Sequence, residues 1–137
     1  MEAREAIPRD ECWQLLATTT LGRVALSMNA LPSILPVQYY LDDDTIAICL
    51  GSFRVPERSG HGVVIAFLAD DIDPVLRRGW SVQAVGRVTF DYQDIGVPTD
   101  CGEPTAGQIL SLEPNVLSGH WLHLCPWRAS FGATNGR

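Results

Sequence analysis

The chain has 137 residues, a length that suits one domain with a hydrophobic core of its own. Its formal net charge is −6, so we expect no nucleic-acid partner, because phosphate binding needs a concentrated basic surface. All ten cationic side chains are arginines. The absence of lysine excludes Schiff-base chemistry, including covalent attachment of pyridoxal phosphate.

The composition also bears on the compartment. Segment 1–13, MEAREAIPRDECW, is charged and lacks the apolar core of a signal peptide. The sequence contains no run of about 18 apolar residues, so no membrane span is expected. The four cysteines contain no CxxC pair, and in a chain without a secretion signal they are typical of reduced thiols. We therefore expect a cytoplasmic protein with no membrane partner.

The first predicted element is a helix over residues 9–20, RDECWQLLATTT. Cys12, Leu15 and Leu16 recur at helical spacing on one face. Asp10 is the expected N-cap, because an aspartate side chain can accept the amide hydrogen bonds that a helix start leaves open.

The period then changes to that of β-strands. Segment 23–28 alternates large apolar residues with small or polar ones, and segment 34–41 is rich in β-branched and aromatic residues. The acidic triplet 42–44 predicts a tight hairpin turn before a third strand at 45–50. Pro36 lies within the second strand, so we expect an unpaired edge or a bulge there. Three strands with short turns form an antiparallel meander.

The remaining chain continues this pattern. Gly86 indicates a bulge or a close approach of the backbone to a ligand, and turns are expected at 70–74 and at Glu113–Asn115. Further strands are predicted at 63–69, 80–92, 109–112 and 121–124, with loops at 51–62 and 93–106. Six or seven short antiparallel strands with little helix predict a mainly β fold and a small barrel. We expect a single domain over 1–137, with a core at about 9–125 and an irregular tail at 126–137.

The order of these motifs is the most specific feature of the sequence. LLATTTLGRVALSM is followed by LPVQYYLDDDTIAI, a polar loop with arginines, VVIAFLADDID, GWSVQAVGRV and LSGH. This order, from about Glu11 to His123, resembles the pyridoxamine 5'-phosphate oxidase-like FMN-binding split barrels. The similarity is to their short bacterial branch, which includes nitroimidazole-reductase-like proteins.

The resemblance implies a six-stranded antiparallel split β-barrel that forms a homodimer with two flavin sites at the subunit interface. It implies non-covalent FMN and an oxidoreductase that acts on a small-molecule substrate. The flavin ring would carry the hydride or the electrons, so no catalytic acid or base is assigned to the protein.

The resemblance also implies which residues bind the cofactor. The loop after the third strand would hold the phosphate through Arg54 or Arg58, since a guanidinium supplies two parallel hydrogen bonds to an anion. Ser52 would add a hydroxyl donor. The residues implied to contact the ring are Val37, Gln38, Tyr39, Cys49, Leu50, Gly51, Trp80 and Ser81.

Two departures from the family pattern keep a second function open. Segment 49–60, CLGSFRVPERSG, replaces a segment that usually contains threonine and lysine, and Gly119-His120 replaces a glycine-arginine pair. Each change removes an expected anion contact. The alternative is a non-catalytic split-barrel binding module whose altered pocket takes a deazaflavin, haem or no cofactor.

Several side chains belong to the residue types that bind metals. Cys101, His120, His123 and Cys125 are of the residue types that bind zinc, but their spacing matches no standard zinc finger. A haem ligand among His61, His120 and His123 is a related alternative. The acidic residues of segment 70–73 are those of a solvated turn. We therefore predict no metal site.

Overall fold

The computed structural model describes residues 3–28, 30–51, 63–91 and 108–125. The predictions for the loops, for the 126–137 tail and for Ser52, Arg54 and Arg58 lie outside these ranges.

One short helix and seven strands occupy the described ranges. No helix there is long and apolar enough to span a membrane. In chain order the elements are β1 (Ala3–Ile7), α1 (Arg9–Leu16), β2 (Leu21–Met28), β3 (Leu31–Asp42), β4 (Thr45–Cys49), β5 (Val64–Asp73), β6 (Arg78–Asp91) and β7 (Ile109–His123).

The strands form one antiparallel sheet that closes on itself. The strand order is β1-β7-β4-β3-β2-β5-β6, and β6 also pairs with β7. Strands β2 to β7 therefore form a ring of six, while β1 pairs with β7 outside that ring. This confirms the predicted mainly β, six-stranded split barrel with a short N-terminal helix. The seventh strand is an addition at the edge.

The hydrophobic core fills the inside of the ring, because alternate side chains of a strand point to opposite faces. Leu110 and Leu112 of β7 face Ile46 and Ile48 of β4, and all four are fully buried. Helix α1 lies against β6 and β7. Its Cys12 and Leu16 are fully buried in the same core.

Several local predictions are confirmed. The β3–β4 hairpin turns at Asp43 and Asp44, and Asp43 adopts a φ of 52°, which aspartate tolerates better than most residues. Pro36 is opposite Arg23 of β2, whereas pairing with β4 begins only at Gln38. In the described residues Pro36 thus has no ladder partner on its β4 side, as its missing N–H requires.

The bulge predicted at Gly86 is also confirmed. The β6–β7 register shifts between Val85 and Gly86. A Cβ atom on Gly86 would overlap the main-chain oxygen of Glu113. The close approach is therefore between two strands, and glycine is required because any side chain would force them apart.

The beginning of the chain differs from the prediction. Strand β1 was not expected, because Ala3–Ile7 is short and polar; β7 supplies its hydrogen-bond partners. The helix ends at Leu16 and not at residue 20. The N-cap is Pro8 without a side-chain cap, so the assignment to Asp10 was wrong. Asp10 lies in the first turn, where its negative charge interacts favourably with the positive end of the helix dipole.

Two predicted turns are wrong for a common reason. Asp70 and Asp71 continue β5 because they pair with Ser81 and Trp80 of β6. The chain turns at residues 74–77 instead. Likewise, Glu113–Asn115 contains the bulge opposite Gly86 and not a turn, so β7 is one strand. Polar and proline-containing segments are extended here because neighbouring strands satisfy their backbone groups.

Candidate functional site

The residues of β3 that were predicted to contact a ligand are divided between two faces. Val37 and Tyr39 are buried in the core, whereas Gln38 between them is exposed on the outer face. Gln38 is directly opposite Leu21 of β2 and Cys49 of β4. The outer face of β3 and β4 therefore presents the amide of Gln38 next to a thiol.

Tyr39 has a structural role in the core. Its hydroxyl donates a 2.6 Å hydrogen bond to the main-chain oxygen of Leu16. Its ring packs edge-on against Phe67 with 4.9 Å between centroids. Burial raises the pKa of Tyr39 to about 12, although a hydrogen bond with Thr19 opposes this shift. A ligand on the outer face would meet the main chain of Tyr39 and not its ring.

At the end of β4, a half-buried thiol is followed by a glycine with open space around it. Cys49 is half-buried, and burial raises the pKa of its thiol. It stays protonated at neutral pH and is a poor nucleophile. Leu50 is buried and its amide donates to the oxygen of Gln108. Gly51 follows with a φ of 63° and an open surface. Ser52, Arg54 and Arg58 lie outside the described residues.

Trp80 and Ser81 occupy opposite faces of β6. Trp80 is 7 % exposed and belongs to the core cluster, whereas the neighbouring Ser81 points outward. The structure does not bring their side chains together, because adjacent residues of a strand alternate between faces. Of the two, Ser81 is the one on the same kind of surface as Gln38.

Ser81 lies at the centre of a shallow cavity on the outer face of β5, β6 and β7, here called the outer groove. Its volume is about 420 Å³. Ser81 is opposite Asp70 on one side and His120 on the other. The side chains that line the groove include Leu68, Asp70, Ser81, Gln83, Ser118 and His120.

The order of the groove residues limits their chemistry. In a Ser-His-Asp triad the imidazole stands between the other two groups, whereas here Ser81 stands between Asp70 and His120. The groove can therefore donate and accept hydrogen bonds, but it does not form this triad.

Gln83 and Ser118 were missed by the sequence reasoning. Only the strand register shows that they are opposite each other.

One guanidinium on the outer face was also missed. Arg23 of β2 is exposed and stands opposite both Pro36 of β3 and Leu68 of the outer groove. It is thus close to the groove and two residues along the ladder from the position opposite Gln38. An exposed arginine at this point could hold an anionic group.

A second, larger cavity lies at the end of the barrel, on the face of the sheet that continues the core. We call it the barrel-end cavity; its volume is about 620 Å³. Trp80 and Trp121 are directly opposite each other in β6 and β7. The side chains that line it include Glu5, Asp71, Asp73, Arg78, Trp80, Trp121 and His123. The sequence reasoning missed Glu5 and Trp121, since neither β1 nor the full length of β7 was expected.

The two groups of outward-facing predicted residues are far apart in one protomer. Gln38 and Cys49 belong to β3 and β4, and Ser81 belongs to β6. In the six-stranded ring β3 and β6 are three strands apart in either direction. Side chains that point outward from opposite walls of a barrel diverge. One protomer therefore does not enclose a ligand between Gln38 and Ser81.

Metal ligation finds no support in the described part of the chain. No group of three or more histidine, cysteine or acidic side chains there could hold a metal ion. His120 lines the outer groove and His123 the barrel-end cavity on the other face. Cys101 and His61, two other possible ligands named above, lie outside the described residues.

Known proteins resemble this chain in sequence and in fold. A sequence model of the family described as pyridoxamine 5'-phosphate oxidase matches residues 8–90. The uncharacterized protein Rv0080 of Mycobacterium tuberculosis is 39% identical over 130 residues, with coverage of 85% of this chain and 86% of that protein.

Two solved structures from Mycobacterium smegmatis share the fold. An FAD binding protein superposes with a TM-score of 0.66 at 21% identity, covering 88% of this chain and 100% of its own. An FAD and heme binding protein superposes with a TM-score of 0.63 at 17% identity, covering 95% and 78%. At these identities the likeness establishes a common fold. The family model matches residues 8–90, which is more than half of the chain, and this match shows that the chain belongs to the pyridoxamine 5'-phosphate oxidase family.

Proposed function

We propose that this chain is a flavin-binding oxidoreductase that holds FMN non-covalently at the interface of a homodimer and acts on a small-molecule substrate. The observation that carries this proposal is the separation of Gln38, which has Cys49 beside it, from Ser81 on the opposite wall of the barrel. Both groups face outward, so a second copy can bring the outer groove of one protomer to β3 and β4 of the other.

The choice of a flavin rests on the family and on its structural neighbours. Both M. smegmatis proteins described above bind FAD by their names, and one also binds haem. FMN and FAD share the isoalloxazine ring and a phosphate, so the same contacts would serve either. FMN is the first candidate because the sequence resemblance is to FMN-binding split barrels, with one phosphate held by Ser52 and by Arg54 or Arg58. FAD is the second candidate.

The described residues suit the polar edge of a flavin ring. Gln38 offers an amide that both donates and accepts, and Ser81 offers a hydroxyl that can do the same. The bound flavin would supply hydride or electron transfer. The chain itself would bind and orient the ring. The protonated thiol of Cys49 would be next to the ring without attacking it.

The outer face also provides a surface for a second protomer. One continuous apolar row crosses five strands and consists of Ile34, Ala25, Ala66, Val85 and Val116. Ile34 is 71% exposed and Val116 is 57% exposed. Burial of such a row against its two-fold copy favours association, because the removal of apolar surface from water is the main driving force for most protein–protein contacts. The row runs alongside the outer groove, so the dimer and the flavin site would share one surface.

The first experiment is a titration of the purified protein with FMN, and separately with FAD, followed by quenching of flavin fluorescence. Saturable binding with a Kd of about 1 μM or lower is expected for one of them. Replacement of both Arg54 and Arg58 by alanine should weaken binding at least tenfold. The matched control, Arg9→Ala with Arg78→Ala, removes two charges elsewhere and should leave the Kd unchanged. A protein that ignores both flavins would refute the proposal.

A mixed dimer tests the shared site directly. One variant carries Arg54→Ala and Arg58→Ala, and the other carries Ser81→Phe, which fills the outer groove. Each variant alone should bind little flavin. When the two are refolded or co-expressed together, each mixed dimer contains one intact site of its two. Random pairing makes about half of the dimers mixed, so the total flavin bound should rise to about one-quarter of the wild-type value. No recovery would mean that both groups act within one protomer or that one does not act at all.

Catalysis separates the proposal from the alternative of a non-catalytic binding module. The altered 49–60 segment and His120 in place of arginine favour that alternative. If NADH or NADPH bleaches the bound flavin and a small oxidant restores it, the protein is an oxidoreductase. A flavin that binds but is not reduced by any donor would favour the binding module. A purified protein with a haem spectrum would favour a change of ligand.

A further inference from the structure

The barrel-end cavity has a composition that the flavin proposal does not use. Its floor is the row Glu5–Trp121–Trp80–Asp71, in which each residue is directly opposite the next on neighbouring strands. Because neighbouring strands are about 4.8 Å apart, the row extends about 14 Å from β1 to β5. Two tryptophans thus stand side by side between two carboxylates.

The two indoles differ in their accessibility. Trp80 is 7% exposed and packs into the core, whereas Trp121 is half-buried and only partly packed against that core. The exposed part of Trp121 therefore provides most of the aromatic surface of the cavity. Glu5 is directly opposite Trp121 and is itself exposed.

The charges around the indoles are unbalanced. Glu5, Asp71 and Asp73 contribute three carboxylates, whereas Arg78 contributes one guanidinium. Asp73 also accepts hydrogen bonds from the amides of Val75 and Leu76 at 2.8 and 3.0 Å, which engages it in the hairpin turn. Glu5 and Asp71 remain as the carboxylates at the two ends of the indole row.

We propose that the barrel-end cavity is a binding site for a small organic cation, with its positive group between Glu5 and Trp121 and its apolar body on the two indoles. An indole face carries negative potential and attracts ammonium groups, most strongly for tryptophan. A cavity of about 620 Å³ is within the usual range for small-molecule sites. Its negative charge disfavours phosphates, so this site is distinct from the proposed flavin site.

The geometry makes the Glu5 end the stronger one. Trp121 is more exposed than Trp80, so an ammonium group can reach its face and the carboxylate of Glu5 together. Asp71 stands next to the buried Trp80 and contributes mainly its electrostatic field. Removal of the charge of Glu5 should therefore weaken binding more than removal of that of Asp71.

The probe for the test is benzylammonium, with benzyl alcohol as the uncharged compound of the same size and shape. Binding is followed by NMR of ¹⁵N-labelled full-length protein, in which tryptophan indole N–H signals report the site. The cation should shift the signals of Trp80 and Trp121 in a saturable way and bind at least fivefold more tightly than the alcohol. Added salt should weaken the binding of the cation and leave the binding of the alcohol unchanged, because the attraction to the cation is partly electrostatic.

Variants assign the contacts. Glu5→Gln should lower the affinity for the cation at least threefold, and Asp71→Asn should lower it less. Glu113→Gln, a matched change on exposed β7 outside this cavity, should have no effect. Trp121→Leu should abolish binding, and equal thermal midpoints for Glu5→Gln and Glu113→Gln show that folding is intact. Equal affinity for cation and alcohol, or no difference between Glu5→Gln and Glu113→Gln, would overturn the proposal. Neither outcome depends on whether flavin binds.

Discussion

The phenolic oxygen of Tyr39 lies 2.6 Å from the main-chain oxygen of Leu16, and this hydrogen bond joins the last turn of α1 to β3. The carbonyl groups of a final helical turn lack partners within the helix. Tyr39 satisfies one of them from 23 residues further along the chain. The side chain of Tyr39 is thus a fixed link between the helix and the barrel wall.

The first prediction concerns this link. Tyr39→Phe keeps the ring packing against Phe67 but leaves the buried carbonyl of Leu16 without its donor, so it should cost about 1–3 kcal/mol of unfolding free energy. Urea denaturation measures this change. Thr45→Val is the comparison, because it removes a hydroxyl that bonds to Asp42 at an exposed site. An equal cost for both variants would mean that burial does not matter here.

The same residue predicts a pH dependence. The folded-state pKa of Tyr39 is about 12, above the usual value for tyrosine of about 10. Folding favours the protonated form, so this contribution is fully present below pH about 10 and is lost as the pH rises through about 12. The difference in unfolding free energy between the wild type and Tyr39→Phe should shrink across this window. Urea titrations at several pH values measure it, and a constant difference would contradict the prediction.

A second backbone prediction concerns Gly86. Gly86→Ala should destabilise the protein by at least about 3 kcal/mol, or prevent folding, because its Cβ atom meets the main chain of Glu113. Gly51→Ala is the control. Gly51 has a φ of 63° but nothing within 4 Å of its Cβ position, so the cost should be about 1 kcal/mol. Thermal denaturation ranks the two, and the opposite order would contradict the bulge geometry.

The contact between Gly119 and Cys12 predicts a coupling between two substitutions. A Cβ atom on Gly119 would lie 2.6 Å from the sulfur of Cys12, so Gly119→Ala should cost about 1–3 kcal/mol through overpacking. Cys12→Ala leaves a small cavity. Together the two changes should cost at least about 1 kcal/mol less than their sum, because the new methyl group occupies the space of the sulfur. Denaturation of all four proteins measures the coupling; simple additivity would rule out this contact.

The apolar row on the outer face predicts the oligomeric state. Val116→Asp places a charge in the row and should convert the proposed dimer into a monomer, since burial of an unpaired carboxylate is costly. Val75→Asp is the matched control. Val75 is 84% exposed at the tip of the β5–β6 hairpin, away from the row. Sedimentation equilibrium measures both, and a dimer that survives Val116→Asp would place the interface elsewhere.

Some features of the candidate site were predictable from sequence and others were not. The alternation around Gln38 gives its outward direction, because a strand has a strict period of two. The same rule separates Trp80 from Ser81, although the sequence resemblance grouped them. The outer groove could not be foreseen, because Ser81, Asp70 and His120 come together through the register of three strands.

The sequence by itself determined the class of fold, the meander of β2, β3 and β4, and the family, and it narrowed Gly86 to two alternatives. These follow from local periodicity, from turn-forming residues and from the order of motifs, all of which lie within short stretches of chain. Only the tertiary structure decided that Ala3–Ile7 is a strand, that β7 continues through Pro114, and that Trp80 and Trp121 are opposite each other. Strand pairing decided them, because backbone groups of polar segments are satisfied by residues distant in the chain.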